Sequence, residues 1–198
     1  MSLREEKTAK KKEEILQSAV RILSEKGYRG TTMEEIAAKL LMTKGSVYYY
    51  FKDKQNLLFE SQIMILNRSI QNLEFINTQN VSVIMKLRKA IIAHIEYAIR
   101  ERSVFVMMFN PEQIFSPSQL ERIFQLRDEY GKGFDRLIKE GIESDVFRSM
   151  DVKIVRNIIL GAINWVTQCY SDNGKKDETE MAELIADYVM QIVIKNKG

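Results

Sequence analysis

Apolar side chains along this chain recur at intervals of three and four residues, and no stretch alternates apolar with polar long enough to make a sheet, so the pattern predicts an all-α protein. Ile15, Ala19, Ile22 and Leu23 mark one face of a first helix over 13–26, which Gly27 would stop. Thr32 stands three residues before Glu35, a capping box that starts a second helix at Met33 with Met33, Ile36, Ala37 and Leu40 turned inward. Thr43 caps a third helix from Lys44 to about Tyr50, whose inward residues are Val47 and Phe51. From Asp53 a long helix runs to about Asn77, and further helices are predicted over 83–102, from Pro117 to about Ser144, from Asp151 to Ser171, and from about Asp177 onward. The sequence Ser116-Pro117-Ser118-Gln119 is a strong restart, with a serine cap, proline at the first helical position and glutamine at the third.

Two short helices joined by a turn of three or four residues form a helix-turn-helix, whose second helix enters the major groove of DNA. The segment 32–58 has the chemistry for that role. Lys44 can donate to base edges or phosphate, Gly45 lets backbone approach the groove, and Ser46 both donates and accepts. Tyr48, Tyr49 and Tyr50 lie about 100° apart around the helix, so at least two hydroxyls must face outward. Lys54, at the start of the next helix, is placed for a phosphate.

Charge follows the same division. Residues 1–60 hold 12 Lys or Arg against 9 Asp or Glu, and residues 61–198 hold 18 against 18, so the formal net charge of +3 falls in the N-terminal third. The first dozen residues read as a basic, frayed arm, either a solvated tail or a strand of contacts along the DNA backbone or in its minor groove.

The stretches GYRGTTMEEIAAKL, TKGSVYYYFKDK and QNLL, in that order, resemble the DNA-binding domain of the tetracycline-repressor (TetR) family of bacterial transcription factors. The resemblance implies DNA contacts at Thr32, Thr43, Lys44, Gly45, Ser46, Tyr48, Tyr49 and Lys54. It departs from the family at Leu40-Leu41, where Ala-Gly is usual. A leucine at that turn must either adopt positive φ, at a cost on the order of 1 kcal/mol, or change the turn.

The chain divides by this reading into a DNA-binding domain over 1–52 and a helical effector-binding and dimerisation domain over 53–198. The helix from Asp151 is apolar almost all round, and the last helix has a continuous apolar stripe. One face covers the chain's own core and the other needs a partner, so Ile154, Ile158, Gly161, Ala162, Leu184, Tyr188 and Ile192 are candidate dimer-interface residues. Family resemblance points the same way, to a homodimer on a palindromic operator of double-stranded DNA. A cluster of soft and aromatic side chains near Pro111 and Pro117, with inward polar groups, suggests an effector pocket. Its candidates are His94, Tyr97, Phe105, Met108, Phe109, Phe124, Tyr130, Phe134, Trp165, Gln168 and Cys169. GAINWVTQCYSDNG further resembles the penultimate helix of family members that sense acyl thioesters of coenzyme A, although Cys169 stands where those carry a second tryptophan. A small apolar or acyl-CoA-like effector is the corresponding expectation.

Other classes are disfavoured. The chain has no GxSxG, GxxxxGK[ST], HExxH or GxGxxG motif, so no catalytic residues are assigned and an enzyme is not expected. One histidine and one cysteine cannot build a zinc or iron site of usual spacing, so no metal or cofactor is expected. A single cysteine suits a reducing cytoplasm, and no apolar run approaches the roughly 18 residues of a membrane span, so no membrane partner is expected. The competing reading is a DNA-binding protein without a small ligand, whose C-terminal helices bind another protein.

Overall fold

The computed structural model describes residues 2–102, 105, 111–171 and 174–195, and these are helical with one isolated β-bridge between Phe147 and Ile194. The helices are α1 (Leu3–Gly30), α2 (Met33–Lys39), α3 (Lys44–Tyr50), α4 (Lys54–Thr78), α5 (Val83–Arg100), α6 (Pro117–Glu143), α7 (Val152–Asn164), α8 (Val166–Cys169) and α9 (Glu178–Val193).

Most of these boundaries follow from caps. Thr32 Oγ1 accepts from the Glu35 amide at 3.2 Å while Glu35 Oε2 accepts from the Thr32 amide at 3.0 Å, and Thr43 Oγ1 accepts from the Ser46 amide at 3.1 Å. Asp177 and Glu180 form the same reciprocal box at the start of α9. Before α6, Gln119 Oε1 accepts from the Ser116 amide at 3.0 Å.

Two helices differ from the sequence expectation. The N-terminal arm is not frayed: a box between Ser2 and Glu5 starts α1 at Leu3, and helical geometry runs on until Gly27, whose φ of 71° breaks it. The expected helix from Asp151 to Ser171 is interrupted at Trp165 and ends at Cys169. Arg102 fixes that end, with Nε donating to the Thr167 carbonyl at 2.5 Å and Nη1 to the Tyr170 carbonyl at 3.1 Å.

The chain packs as two units. The first comprises the described residues up to Ile65 and those from 105 to 124; the second comprises 66–102 and 125 onward. The packing boundary thus falls inside α4, not between residues 52 and 53. The reason is local: Gln55 Nε2 donates to the Ile114 carbonyl at 2.6 Å and the Phe59 and Phe115 rings meet at 6.2 Å, so the first turns of α4 pack with 111–119. The first unit's core joins Ile15, Ala19 and Ile22 of α1 to Met33, Ile36 and Ala37 of α2, Val47 of α3, Phe51 and Leu57. In the second unit, buried residues of α5 (Leu87, Ile91, Ile95, Ala98), α7 (Val155, Ile159, Ile163) and α9 (Ala182, Ala186, Val189, Val193) form the core.

Candidate nucleic-acid interface and interior cleft

Helix α3 is held from behind by Val47 and Phe51, both buried, and this fixes what it turns outward. Thr43, Lys44, Gly45, Tyr48 and Tyr49 are exposed and Ser46 is half-buried. Tyr49 is 73% exposed and Tyr48 40%, whereas Tyr50 packs against the core, so two of the three tyrosines face out. Tyr50 also braces its neighbour, its ring meeting that of Tyr49 edge-on at 5.1 Å. An added Cβ at Gly45 would stand in open space, so the fold of this unit does not itself require glycine there. The residue is better explained by what approaches from outside.

Electrostatics tie the turn together. The Lys44 ammonium pairs with Glu34 and lies 5.6 Å from the Tyr48 ring centroid. The hydrogen bond from Lys44 holds the Glu34 carboxyl below its usual range, and Glu34 raises Lys44 in return. Glu35 is likewise lowered, first by Lys26, whose ammonium is 2.6 Å away. Leu41 has φ 53° and is 97% exposed, so the turn places a leucine in the left-handed region.

Lys54 is placed differently from the phosphate contact expected of it. Its ammonium donates to the Tyr28 carbonyl at 2.7 Å and the Thr31 carbonyl at 2.9 Å, and stands 4.2 Å from the Tyr28 ring centroid. It therefore caps the carbonyls where α1 ends and ties that end to the start of α4. Lys52, exposed just after α3, is a further cation beside it.

In the second unit a cleft of about 250 Å³ opens between α4, α5 and α6. Of the expected pocket residues it brings together His94, Tyr97 and Tyr130. His94 is at its floor, with Nδ1 3.0 Å from Tyr130 Oη and Nε2 3.0 Å from Asn164 Oδ1. The tautomer that satisfies both has Tyr130 donating to Nδ1 and Nε2 donating to Asn164. Burial lowers the imidazole to about 4 and pushes the Tyr97 hydroxyl up to about 12, so both are neutral near pH 7.

The remaining pocket candidates lie elsewhere. Phe134 is fully buried behind Tyr130, at 5.4 Å between rings, and Phe105 is buried in the first unit. Phe124 is 49% and Trp165 64% exposed, and Gln168 and Cys169 are exposed on α8. Met108 and Phe109 lie outside the described residues. The cleft instead takes Arg68, Ser69, Asn72, Leu73 and Ile76 from α4 and Ala90, Ala93, Glu96 and Arg100 from α5. Their spacing of three and four along two helices was the available signal. Arg100 is itself held by Glu178 at 2.6 Å and Glu96 at 3.3 Å.

The candidate interface residues on α7 form an outward stripe, with Ile154 60% and Ile158 50% exposed, Gly161 and Ala162 exposed, and Trp165 continuing the line. On α9 Tyr188 is 69% exposed and Leu184 and Ile192 are half-buried.

A two-turn helix braced from behind, with hydroxyl, ammonium and bare backbone turned outward, defines a helix-turn-helix DNA-binding protein. Residues 15–60 match the family model described as bacterial regulatory proteins, tetR family, and residues 80–193 match that of the tetracyclin repressor-like C-terminal domain. The chain belongs to the TetR family and is a DNA-binding transcriptional regulator, in keeping with relatives that are regulators and not enzymes. It is 22% identical over 164 residues to the fatty acid metabolism regulator protein of Bacillus subtilis, covering 82% of this chain and 84% of that one. It is 25% identical over 131 residues to the biofilm operon negative transcriptional regulator IcaR of Staphylococcus aureus, covering 65% and 70%. Among solved structures, the regulator PfmR of Thermus thermophilus superposes with a TM-score of 0.78 at 25% identity, over 89% of this chain and 97% of that one. AibR in complex with isovaleryl coenzyme A and operator DNA superposes with a TM-score of 0.71 at 22% identity, over 92% and 97%. Among the described residues no helix is long and apolar enough to cross a membrane.

Proposed function

We propose that this regulator is a cytoplasmic repressor that binds a palindromic operator as a homodimer and is released when a small ligand enters the cleft of the second unit. The observation that carries the DNA side of this reading is the outward set Thr43, Lys44, Gly45, Ser46, Tyr48 and Tyr49, with Thr32 at the start of α2. Lys44 and Ser46 read base edges, and Tyr48, Tyr49 and Lys52 hold the phosphates on either side. Lys54 serves by positioning. It keeps the end of α1 against the start of α4, so Lys54→Ala weakens binding without changing its salt dependence.

The stripe of Ile154, Ile158, Gly161, Ala162, Leu184, Tyr188 and Ile192 supports pairing of two copies through four helices. Exposed isoleucines at helical spacing are costly in water, and small residues at 161 and 162 allow close crossing. A two-fold dimer sets its recognition helices one DNA turn or a multiple apart, which requires an operator with two inverted half-sites.

The effector side rests on the cleft. At about 250 Å³ it lies just below the usual ~300–1,000 Å³ of ligand pockets, and its inner wall of Leu73, Ile76, Ala90 and Ala93 is apolar. A short acyl group suits that space, and an acyl-CoA-like effector is favoured by the names of two relatives, a fatty acid metabolism regulator and AibR with isovaleryl coenzyme A. Because α4 supplies the cleft's Arg68 to Ile76 and also carries Lys54, a ligand that binds one placement of α4 better than another shifts the recognition helices by linkage.

The test is titration of operator complexes with acyl-CoAs of increasing chain length, alongside thermal unfolding. Short chains should stabilise the protein and release DNA. Stabilisation by no chain length, with a different ligand class active, removes the acyl assignment; DNA binding that Tyr49→Ala and Lys44→Ala leave unchanged removes the docking.

A further inference from the structure

The basic N-terminal residues are part of a capped helix, and this changes what they can do. Ser2 and Glu5 cap each other, with the Ser2 amide donating to Glu5 Oε2 at 2.7 Å, and Thr8 Oγ1 donates back to the Arg4 carbonyl at 2.9 Å. Leu3, Arg4, Lys7 and Thr8, spaced by three and four, fall on one face of α1. That face and Tyr50 at the end of α3 line a groove of about 440 Å³. The groove is therefore continuous with the recognition helix, two residues beyond Tyr48.

Charge separates these residues from Lys11 and Lys12. Lys11 is held by Glu14 at 3.0 Å and Lys12 by Glu60 at 3.4 Å, so both serve the fold. No carboxylate pairs with Arg4 or Lys7 among the described residues and both are exposed; of the two acids between them, Glu5 is engaged in the cap and Glu6 forms no ion pair with either. Two unpaired cations on one wall of a groove and a tyrosine on the other match a strand of phosphates.

We propose that the groove between the start of α1 and Tyr50 receives the phosphate backbone of DNA, with Arg4 and Lys7 each neutralising one phosphate. The occupant is duplex DNA because the groove adjoins the helix already assigned to the major groove, and the proposal rests on that assignment. Neither residue reads bases here. They add affinity and orient the first unit on the duplex, whatever its sequence.

Salt dependence tests this directly. A duplex selected by the wild-type protein from a random pool, and a scrambled duplex of equal length, are titrated by fluorescence anisotropy from about 50 to about 200 mM salt. The double variant Arg4→Gln, Lys7→Gln keeps strong helix formers in place, and circular dichroism checks that α1 is retained. On both duplexes the slope of log affinity against log salt should be shallower by about 1.8, close to 0.9 for each phosphate. The affinity gap to wild type then narrows about twelvefold over that fourfold salt range. Arg4→Lys, Lys7→Arg should restore the slope.

An unchanged slope with the helix intact overturns the proposal. Tyr49→Ala and Lys44→Ala, measured on the same duplexes, show which reading has failed. If they weaken binding while the double variant keeps the wild-type slope, only the groove is wrong; if they also bind as wild type, the assignment of α3 falls with it.

Discussion

The DNA-facing first unit and the cleft of the second are built by different means. Around α3, each outward residue is fixed by a neighbour within a few positions: Thr43 caps Ser46, Val47 and Phe51 anchor the back, and Tyr50 braces Tyr49. The cleft is fixed by pairs far apart in the chain, such as His94 with Tyr130 and Asn164. A site made of local contacts tolerates change residue by residue, whereas one made of distant contacts fails when any wall moves. That contrast predicts where acid, volume and cap changes will act.

The largest effect should come from acid on the second unit. His94 titrates near 6.5 when unfolded and at about 4 when folded. The folded imidazole stays neutral where the unfolded one is charged, so its contribution is complete above pH 6.5 and is lost as pH falls toward 4. The full difference is roughly 3 kcal/mol. Unfolding free energy measured from pH 7.5 to 4 should show that extra decline, and His94→Gln should flatten it; equal slopes in the two proteins would remove the imidazole from the account.

Next is volume. A methyl added at Gly141 would overlap the Phe147 ring, and one at Gly133 would overlap Leu73. Gly141→Ala should lower stability by about 2 kcal/mol or more, while Gly45→Ala, with open space around it, should leave stability within about 1 kcal/mol and weaken DNA binding. Comparing melting temperature with operator affinity for this pair separates fold from function; a fall in both for either glycine would blur the distinction.

Smaller changes belong to the first unit. Removing the α2 cap with Thr32→Ala should cost about 1 kcal/mol in denaturant unfolding, since the hydroxyl that accepts from the Glu35 amide goes. Leu41→Asn should act in the opposite sense, stabilising by about 0.5–1 kcal/mol, because asparagine tolerates a φ of 53° and the exposed leucine packs on nothing. Destabilisation by Leu41→Asn would mean that the leucine has a role the turn geometry does not explain.

The same contrast decided how far the sequence could be read. Caps and inward stripes act over three or four residues, so α2, α3, α6 and α9 were legible from Thr32, Thr43, Ser116 and Asp177. The outward set on α3 followed once Val47 and Phe51 were placed inside. Lys54 was not legible, because the carbonyls of Tyr28 and Thr31 that hold its ammonium lie more than twenty residues earlier in the chain. The N-terminal arm was misread through its charge, although Ser2 and Glu5 already spell a capping box. In the cleft, Arg68 and Arg100 carry charges that no local pattern assigns to a pocket, and Trp165, expected among the pocket residues, is exposed.

The central claim is that two copies of this chain present α3 to inverted half-sites, and selection of random duplexes by the full-length protein followed by sequencing tests it most directly. The account predicts enrichment of a palindrome whose half-sites lie about 10–10.5 base pairs apart, centre to centre, or a multiple of that. Enrichment of one unrepeated half-site, or none at all, would contradict it.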